Sequence, residues 1–160
     1  MSTVFLGIGT NLGDRESNLR EAILKIEEHI GMVLKFSAVY ETAPWGFDAE
    51  NDFLNMAVMV ETIYSPAELM EKIIGIESML GRDRNQDRYS SRIIDIDILF
   101  YNDLIINEKG LKIPHPLLHE RRFVLVPLNE LAPDLIHPVK GKSISLLLEE
   151  CRDRSEIIKL

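Results

Sequence analysis

Two aspartates separated by a single residue, Asp95-Ile96-Asp97, are the strongest chemical feature of this sequence. In a strand, residues two apart project to the same face with α-carbons about 6.6 Å apart, so the two carboxylates share one surface. Left together they repel, and one tends to keep its proton unless a cation sits between them. Hard oxygen ligands suit Mg2+, which takes one or two carboxylates and completes its shell with water and substrate phosphates. The plainer alternative is a solvated strand carrying two surface acids. Immediately upstream, Arg82, Arg84, Arg88 and Arg92 fall within eleven residues, more cations than two acids need. Guanidinium forks match phosphate oxygens in a bidentate way, so arginines beside a carboxylate metal site point to a clamped polyphosphate, and ATP fits. A solvated charged loop, its arginines paired with Asp83, Asp87 or nearby glutamates, would leave the same pattern. Asn85, Gln86, Ser90 and Ser91 make the stretch read as a mobile loop, where a lid over a nucleotide is expected.

A second constellation is aromatic. Tyr40-Glu41-Thr42-Ala43-Pro44-Trp45-Gly46-Phe47 sets two aromatics in an expected loop, and Phe53 and Asn55 take the strand face opposite Leu54. A flat heterocycle needs rings to stack on and a few amides or hydroxyls to read its edge, which Trp45, Phe53, Thr42 and Asn55 could supply. The same aromatics could simply cover the edge of a core. Ile113-Pro114-His115-Pro116 fixes a histidine between prolines, with His119, Arg121 and Arg122 close behind. Such a histidine could donate to a phosphate or move a proton, although most loop histidines do neither. Zinc at His115 and His119 is not expected, because the prolines oppose a helix there. Gly7-Ile8-Gly9-Thr10-Asn11-Leu12-Gly13 looks like a dinucleotide fingerprint, but its third glycine is one residue late and no Walker lysine follows. Asp14 would also repel a phosphate there, so the segment reads as a tight strand-to-helix turn.

The elements that must position these groups follow from periodicity. Val4 to Ile8 reads as a strand, and Asp14 caps a helix with Leu19, Ala22, Ile23, Ile26 and Ile30 on one face, stopped by Gly31. Val33 to Tyr40 reads as a second strand, Thr42 to Asp52 as a loop, and Phe53 to Thr62 as a third strand with Leu54, Met56, Val58 and Val60 on one face. Ser65-Pro66-Ala67-Glu68 has capping-box spacing and opens a helix with Leu69, Ile73, Ile76 and Leu80 inward, ended by Gly81. Ile93 to Tyr101 reads as a fourth strand with Ile94, Ile96, Ile98 and Phe100 on one face. Strand, helix, strand, strand, helix, strand is the ferredoxin-like βαββαβ order, an α+β fold with helices on one face of an antiparallel sheet. The rest decorates that core as C-terminal additions: a short apolar piece at Leu104 to Ile106 and helices near Arg121 to Leu131 and Ser143 to Glu150. There is no internal repeat or low-complexity tract.

Composition sets the outer bounds. A chain of 160 residues, 46% hydrophobic, suits a single domain over 1–160. One cysteine, Cys151, excludes an intrachain disulfide and a cysteine-rich zinc site and suits a reducing, cytoplasmic setting. The N-terminus lacks a basic signal region, and no apolar run is of membrane-spanning length. A net charge of -8 opposes nucleic acid and makes any phosphate site depend on a local cationic cluster.

Together, Gly9-Thr10-Asn11-Leu12-Gly13-Asp14, Tyr40-Glu41-Thr42-Ala43-Pro44, Phe53-Leu54-Asn55, Arg92-Ile93-Ile94-Asp95-Ile96-Asp97-Ile98-Leu99 and Ile113-Pro114-His115-Pro116 closely resemble the 6-hydroxymethyl-7,8-dihydropterin pyrophosphokinases. The resemblance runs from about Val4 to His137 and takes in Arg121-Arg122-Phe123-Val124-Leu125 and Leu131-Ala132-Pro133; the last twenty or so residues carry no signal. It implies a folate-pathway enzyme with a ferredoxin-like core that moves the terminal diphosphate of ATP to the pterin hydroxymethyl group and releases AMP; the chain is expected to act as a monomer. By that resemblance Asp95 and Asp97 coordinate two Mg2+ ions. Glu77, Arg82, Arg84, Arg88, Arg92, Ile98, His115 and Arg121 handle the nucleotide, with Arg82 and Arg92 counted with the two acids as catalytic. Thr42, Pro44, Trp45, Phe53, Asn55 and Phe123 form the pterin pocket, Phe53 and Phe123 sandwiching the ring while Asn55 and Thr42 bond its edge. Three positions depart from the family pattern. Ser90 replaces a glycine or alanine, Tyr89 stands where a tryptophan can occur, and Pro116 replaces an aromatic seen in some members.

Three rival readings share the architecture. An RNA-binding module would want basic and aromatic residues where the third strand offers Met56-Ala57-Val58-Met59. A non-catalytic ligand-sensing domain would leave Asp95, Asp97 and the arginines without a task. A metallochaperone would want two cysteines.

Overall fold

The Asp14 carboxylate accepts the Ser17 N–H at 3.1 Å and so starts α1 (Arg15–His29), whose Leu19, Ala22 and Ile26 are buried. Ser65 and Glu68 form the reciprocal capping box expected of them, with Pro66 first in α2 (Pro66–Met79). Both helices lay their apolar stripes on the same side of a sheet built from β1 (Ser2–Thr10), β2 (Gly31–Phe36), β4 (Phe53–Thr62) and β5 (Asp95–Tyr101). The computed structural model from which these positions come describes residues 1–44, 51–81 and 93–160. The four strands run β5-β1-β4-β2 with every neighbour antiparallel, the ferredoxin-like arrangement. Val4, Leu6, Ile8, Leu54, Met56, Val58, Val60, Ile96 and Ile98 meet the helices in one cluster. Each fully buried aliphatic side chain there contributes roughly 1.5–3 kcal/mol.

The second strand is split in two. β2 ends at Phe36, and a separate β3 (Tyr40–Thr42) begins after a three-residue crossing. Ser37 makes the break: its N–H donates to the Ala57 carbonyl, its hydroxyl accepts the Ala57 N–H at 2.9 Å and donates to the Ala38 carbonyl. The ten-residue β4 therefore carries two short partners end to end, β2 on Val58–Thr62 and β3 on Phe53–Asn55. Gly31 opens β2 rather than merely stopping the helix. A Cβ there would lie 1.9 Å from the Glu61 carbonyl oxygen, so only glycine admits this approach.

A β-bulge at Leu99 changes the fourth core strand. Phe5 pairs with Phe100 but Leu6 with Ile98, leaving Leu99 as the extra residue. Beyond it the alternation shifts, so Phe100 does not join Ile96 and Ile98 as its even spacing suggests. It turns to the other face with Leu99 and meets Phe5 edge-on at 6.4 Å. That face has helices of its own, α3 (Arg122–Leu131) and α4 (Ile144–Glu150), which pack on Phe5, Leu99 and Phe100 in a second cluster. The sheet is thus covered on both faces, not one. The apolar piece near Leu104 becomes a hairpin of β6 (Ile106–Glu108) and β7 (Leu111–Ile113), and β8 (Ile157–Lys159) adds to β3. Among the described residues no helix is long and apolar enough to cross a membrane.

Candidate functional site

Residues directly opposite one another in antiparallel strands share a face, and here they make two rows across the sheet. One runs Asp95, Gly9, Asn55, Tyr40 and the next Asp97, Gly7, Ala57. Phe53 and Thr42 pair one step further along on the same face. The acids therefore stand at one end of a floor and the amide, hydroxyl and ring at the other, with two glycines between. Gly7 and Gly9 belong to β1 and form this floor, whereas the sequence ended its first strand at Ile8 and read the glycine segment as a structural strand-to-helix turn; of its glycines only Gly13 has the positive φ (70°) of a turn glycine. A Cβ on Gly9 would lie 2.9 Å from Asn55 Oδ1 and 3.7 Å from the Phe53 ring.

The acids are held from behind. The Thr10 hydroxyl and the Asn18 amide both donate to the Ile93 carbonyl, which pins the chain two residues before Asp95. Glu77, almost wholly buried on α2, accepts the N–H of Ile96, the residue between the two acids, at 2.9 Å. Its carboxylate thus fixes the outer edge of β5 and meets the cavity from the helix side. At the other end of the floor, buried Asn55 donates through Nδ2 to Thr42 Oγ1 at 2.8 Å, which sets the orientation of the amide.

The roof comes from the C-terminal additions. The His115 N–H donates to the Leu99 carbonyl at 3.1 Å, laying the Pro-His-Pro segment along β5. His115 Nδ1 accepts the Leu117 N–H at 3.2 Å, so the neutral ring carries its proton on Nε2. Arg121, only 7% exposed, begins α3 with its guanidinium 5.7 Å from the centre of the Phe123 ring.

These groups line a cavity of about 510 Å3 beside β5, within the size range of small-molecule sites. Of the residues expected from sequence, Thr42, Phe53, Asn55, Glu77, Asp95, Asp97, Ile98, His115, Arg121 and Phe123 line it. Pro44 does not, although its neighbour Ala43 does. Trp45, Arg82, Arg84, Arg88 and Arg92 lie outside the described residues. Sequence reasoning missed Gly7 and Gly9, and also Met70 and Ile74 of α2 and Leu111 and Lys112 of β7. The glycines could have been found from their alternation in step with the acids; the others depend on which elements the fold brings beside β5.

A family model described as 7,8-dihydro-6-hydroxymethylpterin-pyrophosphokinase matches residues 5–133. The 2-amino-4-hydroxy-6-hydroxymethyldihydropteridine pyrophosphokinase of Aquifex aeolicus is 44% identical over 144 residues, covering 90% of this chain and 89% of the relative. That of Bacillus subtilis is 43% identical over 128 residues, covering 79% and 76%. A crystal structure of HPPK-DHPS in complex with substrates superposes with a TM-score of 0.76 at 17% identity, over 92% of this chain and 43% of that one. A triple mutant of Plasmodium falciparum HPPK-DHPS gives 0.76 at 21% identity, over 93% and 44%. At such identities these likenesses show the fold alone, and this chain spans less than half the length of those structures.

Proposed function

The chain belongs to the 7,8-dihydro-6-hydroxymethylpterin pyrophosphokinase family, and from that premise we propose how its pocket divides the work. The activity is transfer of diphosphate from ATP to the hydroxymethyl oxygen of 6-hydroxymethyl-7,8-dihydropterin, with release of AMP, in folate biosynthesis. The observation that carries the division is the cross-sheet row Asp95, Gly9, Asn55: an anionic end, a bare centre and an amide end on one face.

The pterin stacks between Phe53 and Phe123, with Asn55 and Thr42 bonding the edge of its ring. The polyphosphate lies toward Asp95 and Asp97, where His115 Nε2–H and the Arg121 guanidinium offer donors and positive charge. Glu77 and Ile98 flank the nucleotide at the edge of β5; to the nucleotide we also assign Arg82, Arg84, Arg88 and Arg92, and to the pterin Pro44 and Trp45. The side-chain-free floor at Gly7 and Gly9 lets the pterin hydroxyl approach the β-phosphorus in line. The new bond forms from the hydroxymethyl oxygen to that phosphorus, the bond to the AMP oxygen breaks, and the hydroxyl proton is lost. Such a transfer needs no protein nucleophile; orientation and charge neutralisation dominate.

Asp95 and Asp97 suit Mg2+: hard oxygens on one face, beside glycines that leave room for phosphate. Such a cation needs few protein ligands, because it takes much of its shell from phosphate and water. Held by Asp95 and Asp97, two Mg2+ ions would supply positive charge that offsets the charge of the polyphosphate. A cytoplasmic monomer acting on these two small molecules, without nucleic acid or membrane, completes the reading.

The test is AMP formation from ATP and Mg2+ with and without the pterin. AMP that depends on the pterin and disappears with EDTA supports the reading. Pterin-dependent AMP that persists in EDTA would remove the metal assignment, and binding of both substrates without AMP would favour a ligand-sensing domain.

A further inference from the structure

The family match ends at residue 133, yet the last ten residues touch both walls of the pterin end of the pocket. α3 carries Arg121 and Phe123 at its first turn but has no side-chain cap of its own, because Arg121 occupies the capping position. The missing acceptor comes from the tail. Asp153 Oδ2 accepts the Arg122 N–H at 3.1 Å, while Asp153 Oδ1 accepts both the N–H and the hydroxyl of Ser155. Arg122 Nη1 in turn donates to the Ser155 carbonyl at 2.9 Å. A carboxylate at this end of a helix meets an exposed N–H and the positive end of the helix dipole. Burial raises the Asp153 carboxyl, but the bonds from Ser155 and Arg122 outweigh it and hold the group below its ordinary value, so it is charged at neutral pH.

From Ser155 the chain turns into β8, which pairs Ile157 with Thr42 and Lys159 with Tyr40, and the Leu160 N–H donates to the Val39 carbonyl at 2.9 Å. Thr42 is the residue that orients Asn55. The far end of α3 reaches the same strand directly: Glu130 accepts the Tyr40 hydroxyl at 2.6 Å and the Ala38 N–H at 2.9 Å. The near end, the one bearing Phe123, is joined to β3 through Asp153 and β8.

The structure assigns to Asp153 and β8 a positioning role in the reaction: as a strap between α3 and β3 they set the gap between Phe123 and the Thr42–Asn55 pair, and so the affinity for the pterin. This rests on the pterin reading of the pocket. It concerns residues that touch neither substrate and that lie outside the matched family segment.

The experiment compares Asp153→Ala, Asp153→Asn, a chain ending at Arg154 and Asn55→Ala, measuring pterin KM, kcat and the urea midpoint of each. Asp153→Ala is expected to raise pterin KM about tenfold, the scale of a lost helix cap, with kcat changed less than about threefold because the strap does not touch β5. Asparagine caps about as well as aspartate, so Asp153→Asn is expected to restore most of the affinity, and the shortened chain to show the same weakening as the alanine variant. A lowered urea midpoint with unchanged KM in Asp153→Ala would reduce Asp153 to an ordinary structural cap and overturn the proposal, whether or not the shortened chain folds. If Asn55→Ala weakens pterin binding and Asp153→Ala does not, the strap fails and the pocket reading stands. If Asn55→Ala has no effect either, both fall.

Discussion

The two faces of the central sheet use the same strands for opposite ends. Toward α1 and α2, β1 and β4 present the large apolar residues Val4, Leu6, Ile8, Leu54, Met56, Val58 and Val60, and all are buried. One residue over, on the other face, the same strands offer Gly7, Gly9, Phe53, Asn55 and Ala57, and β5 adds Asp95 and Asp97. The part of this face around Phe5, Leu99 and Phe100 is closed by α3 and α4, whereas Gly7, Gly9, Phe53, Asn55 and the two acids line the cavity. A strand of period two can thus carry a stability requirement and a chemical requirement independently, one on odd positions and one on even.

That separation can be broken from either side. The largest effect is expected from Asp97→Ala, which should lower kcat by about 10^3-fold or more while moving the urea midpoint little; an equal loss of stability would show that the faces are not independent. Leu6→Ala, on the helix face of the same sheet and fully buried, should do the reverse. It should cost about 3 kcal/mol in urea unfolding and leave kcat/KM per folded molecule within about twofold. Gly9→Ala sharpens the contrast at the floor. Its new Cβ, 2.9 Å from Asn55 Oδ1, must tilt an amide that is tied to Thr42, so pterin KM should rise about tenfold, the scale of one displaced hydrogen bond, with ATP affinity unchanged; titration of each ligand separately checks this.

The smallest effect concerns the closed part of the second face. His137 packs edge-on against Phe100 at 5.6 Å, and its Nδ1 accepts the Val139 and Lys140 N–H groups. Burial first, then the charges of Lys140 and His119, hold its pKa below the ordinary 6.5. His119 is lowered by burial and Lys140 likewise. A group with a lowered folded pKa binds fewer protons folded than unfolded. Stability therefore rises with pH between the folded value and about 6.5 and is lost as pH falls through that window. Urea midpoints measured from pH 7.5 down to 5 should decline, and less steeply in His137→Asn.

Tyr40 marks the seam between the two parts. It shares the row of Asp95 and Asn55 but is covered by α3, and burial together with its bond to Glu130 pushes its phenol up to about 12. It remains a neutral donor, tying the cavity wall to the helix above it.

The sequence by itself determined the ferredoxin-like order, both caps, the inward stripes of α1, α2 and β4, and the acids, amide, hydroxyl and ring that line the cavity. Each of these is a local pattern: a period of two or 3.6, a serine three residues before a glutamate, a pair of acids in step. Its family resemblance was legible for the same reason, since the motifs are short and contiguous. What tertiary structure decided are matters of register and long-range pairing. The bulge at Leu99 that turns Phe100 over exists only against Phe5 and Leu6 of β1. Ser37 splits the second strand because Ala57 is there to receive it. Gly7 and Gly9 become a floor because Asp97 and Asp95 lie opposite them. Asp153 caps a helix that begins thirty-one residues earlier in the chain, a separation at which no spacing rule operates. The free energy of such contacts depends on partners brought together by the rest of the fold, which is why no window of sequence contains them.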